Sequence, residues 1–267
     1  MAASVNLTYL FDLNLEPEMR KQGSNHKTHI RILHTSDNHV GGEAVLKQQP
    51  ASLMGTCIAL GLVVDKAKQL EVDMLVLAGD FIDNSRVNDG ILEETVAHLK
   101  RLDIPVVLVP GNHDQLDGKS VYHRNAFEGL PTNIFIVKDE NGRTINFDGL
   151  GVKVWARPTY DHTADFRPLK QVPPRQGPFW HIGVAHGFYV PIDEETDRSS
   201  PISAAEIEAT GYDYIALGHS DLFTDLSQGK VRAAYSGAPI ESSDGSKLGS
   251  VLLVELDPKT GVDFRQI

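Results

Sequence analysis

Through the first half of the chain, short β-branched apolar runs alternate with apolar residues at helical spacing, and this constrains the fold more than any other feature. Arg31 to Thr35, Met74 to Ala78 and Val106 to Val109 have the length and residue types of strands. Between them, Ser52 to Leu70 and Ile91 to Leu102 read as helices. The first carries Leu53, Cys57, Leu60, Val64 and Ala67 on one stripe, and the second carries Leu92, Val96 and Leu99. A strand–helix–strand–helix–strand order calls for parallel strands joined by right-handed crossovers. The second half is mostly strand, at Ile134 to Val137, Val152 to Trp155, Ile182 to Ala185, Tyr214 to Leu217, Ala233 to Tyr235 and Val251 to Glu255. One more helix is expected from Ser203 to Ala209, and turns at Glu140-Asn141-Gly142 and Lys259-Thr260-Gly261. An α/β half followed by a β-rich half predicts two packed sheets with helices on the outside.

The 267 residues suffice for one large domain. The elements place it at residues 30–267, with residues 1–29, polar and mixed in charge, as an N-terminal extension. No apolar stretch approaches the roughly 20 residues that span a bilayer, and the N-terminus does not read as a secretory leader. The single cysteine, Cys57, excludes an internal disulfide and suits a reducing compartment. On its apolar stripe it reads as a buried helix residue. The expectation is a cytoplasmic protein with no membrane partner. A formal net charge of −11 is unfavourable for tracking a phosphate backbone, which calls for clustered Lys and Arg.

Five polar clusters follow directly after expected strands: Asp37-Asn38-His39, Gly79-Asp80-Phe81-Ile82-Asp83, Gly111-Asn112-His113-Asp114, His186-Gly187 and Gly218-His219-Ser220-Asp221. Singly, each has an ordinary explanation as turn chemistry. Jointly they have a common destination, because ligands of open α/β sheets bind outside the carboxyl ends of the strands. Mixed imidazole and carboxylate ligands suit first-row divalent ions. A pair of such ions roughly 3.5–4 Å apart requires a bridging carboxylate, and Asp80 is the natural bridge. Asp37 and His39, two apart in an extended segment, can reach one ion together. Asn112, His186 and His219 complete the other, with Asp221 as a further candidate ligand. Two divalent ions would bring the total charge to about −7.

That constellation predicts phosphoester hydrolysis. His113, beside Asn112, is placed to protonate the leaving group. Asp83 is expected to accept a hydrogen bond from His113 and orient it, with capping of the following segment as the other reading. Asp114 reads as structural. The stretch from Pro158 to Pro178 holds five of the fourteen prolines and, with Arg157, the cations Arg167, Lys170 and Arg175. It reads either as a surface loop or as a rim that meets an anionic substrate.

The set Asp-x-His, Gly-Asp-x-x-Asp, Gly-Asn-His-Asp, His and Gly-His-x-(His), running from about Ile32 to Asp221, resembles the calcineurin-like metallophosphoesterase superfamily. The segments Ile32 to Gly41, Val109 to Asp114, Tyr214 to His219 and Tyr235 to Glu241 are similar to SbcD-type DNA repair exonucleases. The resemblance implies a four-layer α/β/β/α sandwich of two mixed sheets flanked by helices. It also implies a dinuclear site, manganese first, with iron, zinc, nickel or cobalt as alternatives. The implied activity is that of a phosphodiesterase or exonuclease on a phosphate ester, including nucleotides or nucleic-acid ends. A phosphomonoesterase, a cyclic-nucleotide phosphodiesterase or a non-catalytic interaction module on the same fold are the competing readings. Two departures qualify the resemblance: Asp221 stands where the family usually has histidine, and only about 26 residues follow Glu241, too few for the DNA-binding cap of those nucleases. A homo-oligomer or a cap-supplying partner is the corresponding expectation.

Overall fold

The structure, a computed structural model, describes residues 27–42, 57–191, 196–239 and 249–267. The N-terminal extension up to residue 26, the start of the first helix at residues 52–56, and Ile240 and Glu241 lie outside these.

Two six-stranded mixed sheets pack face to face. The first has the order β14-β13-β1-β2-β3-β4, built from β1 (Ile30–Thr35), β2 (Met74–Ala78), β3 (Val106–Val109), β4 (Ile134–Ile136), β13 (Leu252–Asp257) and β14 (Gly261–Gln266). The second has the order β11-β12-β10-β7-β6-β5, from β5 (Arg143–Phe147), β6 (Val152–Ala156), β7 (Trp180–His186), β10 (Tyr214–Gly218), β11 (Thr224–Asp225) and β12 (Arg232–Tyr235). In each, four adjacent strands are parallel, β1 to β4 in one and β12-β10-β7-β6 in the other, and antiparallel strands extend the edges. A small parallel pair, β8 (Phe188–Val190) with β9 (Pro201–Ser203), leads into the helix α3 (Ala204–Ala209).

Period-two alternation sorts the strand residues into layers. Ile32, Met74, Val76, Val107 and Val109 meet Val152, Val154, Ile182, Val184 and Ala216 between the sheets. The opposite set, Leu33, Leu75, Leu77 and Leu108, packs against α1 (Ile58–Gln69) and α2 (Asp89–Leu99) through Leu60, Val64, Leu92 and Val96. On the far side Ala185, Ile215 and Leu217 pack against Ile207 of α3. This is the four-layer α/β/β/α sandwich. Cys57 sits just before α1 and is buried against Ile91 and Thr95 of α2. One polar pair joins the sheets inside: the Tyr214 hydroxyl lies 2.9 Å from His34 Nδ1, and burial pushes the His34 imidazole down to about 3.

The expected strands are all present to within two residues at either end, and α2 begins at Asp89 because Asn88 caps it by accepting from Ile91 N. The edge strands β5 and β14 were not expected. Both are polar and largely solvent-facing, so they lack the apolar run that marks a strand in sequence.

The carboxyl ends of the two sheets touch. A Cβ on Gly218, at the end of β10, would lie 1.9 Å from the Ala78 carbonyl oxygen at the end of β2. Only glycine permits that approach. Gly218→Ala is therefore expected to cost about 1–3 kcal/mol, the range for overpacking, and to weaken divalent-metal binding by spreading the strand ends. Thermal melts with and without manganese check this; a variant with wild-type stability and wild-type metal response would refute the contact's importance.

Candidate metal centre

All five polar clusters converge where the two sheets meet. Ligand atoms of Asp80, His186 and His219 lie within 4.8 Å of one another, and so do those of Asp37, His39 and Asp80. Asp80 belongs to both sets, the place expected of a bridging carboxylate. The Asn112 amide oxygen completes the first set, 2.9 Å from His186 Nε2 and 3.0 Å from His219 Nδ1. Those two ring nitrogens are themselves 3.4 Å apart, and His186 Nε2 is 3.2 Å from Asp80 Oδ2. Several lone-pair donors directed at so small a volume fit a shared cation better than they fit one another. On the other side the buried His39 Nδ1 makes no aligned hydrogen bond, with the Asp83 carboxylate 3.2 Å away.

The backbone is strained to achieve this. Among the described non-glycine residues with positive φ are Asp37 (52°), His39 (45°), Asp80 (49°) and His219 (116°). Left-handed conformations cost energy and collect where the surroundings over-determine them. Asp37 and His39 are thus not two apart on an extended segment. They reach a common point because each turns left-handed just after β1, where Asp37 N donates to Gly79 O and His39 N to Asp80 O.

The family profile described as Calcineurin-like phosphoesterase matches residues 30–223. The chain belongs to that family. Solved structures agree with the calcineurin-like fold at low sequence identity. A Thermus thermophilus protein is 14% identical with a TM-score of 0.53, over 90% of this chain and 99% of that one. The dimetal phosphatase of Danio rerio is 12% identical with a TM-score of 0.54, over 89% and 98%. The anchor in the inner membrane complex of Plasmodium is 13% identical with a TM-score of 0.59, over 90% and 85%. Among the described residues no helix is long and apolar enough to cross a membrane.

In this calcineurin-like site, electrostatics separates the ligands. Burial lowers the pKa of His186, but Asp80 and then Asp37 outweigh it and hold the imidazole at about 9. Burial raises Asp80, and the His186 charge and hydrogen bond override that and keep the carboxyl well below its usual range. Burial pushes Asp37 up. His219, pushed down by burial and by the neighbouring His186, falls to about 4 and so presents a free lone pair. His186 Nδ1 donates to the Ala78 carbonyl at 3.0 Å, which leaves Nε2 aimed at the centre.

Two of the expected site residues stand apart from the pattern read for them. Asp221 is exposed and belongs to none of the convergent ligand sets. The chain has already turned at Ser220, whose hydroxyl bonds within the turn to Leu222, so strand alternation no longer points residue 221 inward. Asp83 does orient His113, but through its backbone: His113 Nδ1 donates to the Asp83 carbonyl at 2.9 Å, while the carboxylate is 3.9 Å away. That carboxylate is instead 3.2 Å from His39 Nδ1, and Asp83, His39 and His113 make a third convergent set. Asp83 caps no helix, since Asn88 does so for α2. Asp114 is structural: buried, it accepts from Phe81 N, Ile82 N and Gly111 N and from the Tyr122 hydroxyl.

The proline-rich loop spends its arginines internally. Arg157 is buried and donates to Glu140 O, Arg167 O and the Tyr160 hydroxyl, Arg167 pairs with Glu206, and Arg175 pairs with Asp213. The same loop brings in a residue the sequence did not single out, His162. It stands at the surface, yet partial burial lowers its pKa, Asp80 pulls it up, and His186 and His113 push it down. It lies six residues past the end of β6, beyond the reach of strand-end logic.

Because His186 holds a proton to about pH 9 in the metal-free protein, a divalent ion must displace that proton. Apparent metal affinity is expected to rise about tenfold per pH unit between roughly pH 6 and 8, with release of about one proton. Calorimetric manganese titrations in buffers of different ionisation enthalpy measure both; affinity independent of pH contradicts the assignment.

Proposed function

We propose that this protein hydrolyses phosphodiesters with a pair of divalent ions, manganese foremost, in the manner of SbcD-type nucleases. The observation that carries the reading is the position of Asp80, common to the set with His186 and His219 and the set with Asp37 and His39. Asp37, His39 and Asp80 would hold one ion, and Asp80, Asn112, His186 and His219 the other. When bound, such a pair neutralises charge on the phosphoryl oxygens and acidifies the attacking water.

The protein's own part is orientation and a proton. With His113 Nδ1–H committed to the Asp83 carbonyl, Nε2 is the ring nitrogen left to pass a proton to the leaving oxygen as the P–O bond breaks. His113 is exposed, as a group that meets substrate must be. Its backbone N–H donates to Asp80 Oδ1 at 2.8 Å, which ties the proton donor's position to the shared carboxylate. A net charge of −11 favours nucleotides or nucleic-acid ends over a long duplex.

His113→Ala is expected to retain the metals and lose about 100- to 10,000-fold in turnover of bis-p-nitrophenyl phosphate. Asp83→Asn keeps the orienting carbonyl and is expected to lose at most about tenfold, the low end for such supporting partners. Comparison with p-nitrophenyl phosphate separates diesterase from monoesterase action. Activity on neither ester, with metals shown to be bound, would leave the non-catalytic reading instead.

A further inference from the structure

Ser200 is a junction that the proposed chemistry does not use. It is buried, left-handed (φ 52°), and bonded on both sides of its backbone: Ser200 N donates to Thr163 O at 2.8 Å, and Phe188 N donates to Ser200 O at 3.0 Å. The second contact exists because residue 187 is glycine; a Cβ there would lie 2.2 Å from Ser200 O. The Tyr235 hydroxyl clamps the same turn, donating to Gly187 O at 2.6 Å and accepting from Tyr189 N at 2.7 Å. Three side chains are thereby gathered at one edge of the metal centre.

Phe188 is the first. Its ring meets that of His219 edge-on, with centroids 6.1 Å apart. Arg198, two residues before Ser200, lays its guanidinium over Phe188 at 4.8 Å from the ring centroid. Among the described residues it meets no carboxylate. Stacking on an aromatic face holds the guanidinium flat and leaves its edge donors free for a bidentate anion. Because Phe188 stands between His219 and Arg198, that anion is one group further along the substrate than the scissile phosphoryl. His162 is the third. Its loop is pinned at Thr159, which donates to Pro110 O and accepts from Leu116 N, and again at Thr163 through Ser200. The Thr159 pin bonds to residues on either side of the loop of Asn112 and His113.

We propose that His162, Phe188 and Arg198 form a recognition rim, His162 donating to the scissile phosphoryl group and Arg198 on Phe188 binding a second anionic group of the substrate. The preferred class is then phosphodiesters that carry a further phosphate. This rests on the phosphodiesterase reading above and adds a specificity that the metal centre alone does not supply.

The test compares a dinucleotide with a terminal phosphate, the same dinucleotide without it, and bis-p-nitrophenyl phosphate, all with manganese. Arg198→Ala is expected to raise KM about tenfold for the phosphorylated dinucleotide alone, the loss of one bidentate charge-assisted contact, with kcat unchanged. His162→Ala is expected to lower kcat/KM about tenfold on all three substrates with metal content unchanged. Equal effects of Arg198→Ala on all three substrates, or none on any, would overturn the rim, as would wild-type kcat/KM in His162→Ala. If the wild type hydrolyses none of them, the hydrolytic reading fails and the rim is read from equilibrium binding. The manganese-loaded wild type should then still prefer the phosphorylated dinucleotide in calorimetry and Arg198→Ala should not; no preference in the wild type overturns the proposal.

Discussion

The bond from His186 Nδ1 to the Ala78 carbonyl, 3.0 Å long and buried between the two sheets, is the contact on which the centre depends. It crosses from the end of β7 to the end of β2, so one hydrogen bond joins the sheets and fixes which imidazole nitrogen faces Asp80 and Asn112. It requires the strand ends to meet with nothing between them, and the absent side chain of Gly218 supplies that closeness. Once the ends meet, Asp80 lies between ligands from both sheets without further adjustment. A centre shared between sheets is thus a consequence of how closely two backbones approach.

The same closeness determines what was legible in sequence. β1, β2, β3 and β10 are buried throughout or nearly so, and their apolar runs state strand and length together. The convergence of the candidate ligands was legible because each sits within a few residues of such a run, so its position follows from the strand's. β5 and β14, at sheet edges, carry a weak alternation that polar residues blur. Asp221 shows where strand-end logic stops: it extrapolates an alternation past a turn the chain has already made.

Contacts made by loops with other loops were not legible at all. That the Asp83 carbonyl rather than its carboxylate holds His113 depends on backbone geometry after β2. That geometry is in turn set by Val40 N donating to Phe81 O and Asp83 N donating to Val40 O. The loops that carry His162 and Arg198 are tied to each other at Ser200, whose left-handed backbone no residue pattern announces. The cations of the proline-rich loop left two readings open for a related reason: a loop with few regular backbone bonds needs donors of its own, and Arg157 supplies several at once.

A site arranged this way stores unfavourable energy in the metal-free protein. Four candidate ligands, Asp37, His39, Asp80 and His219, hold left-handed backbone, with strain on the order of 1–3 kcal/mol at each such residue. Asp37 is buried where its charged form is disfavoured, and His186 retains a proton that the ligand role does not want. Bound divalent ions would offset both, compensating the carboxylates and displacing the proton at His186 Nε2. Part of their binding free energy would then be folding free energy. The strain itself is not relieved, because the backbone is held by the sheet contacts around it. On that division the candidate ligands are positioned in advance: the sheets impose the geometry, and bound ions would cancel the charges that the geometry brings together.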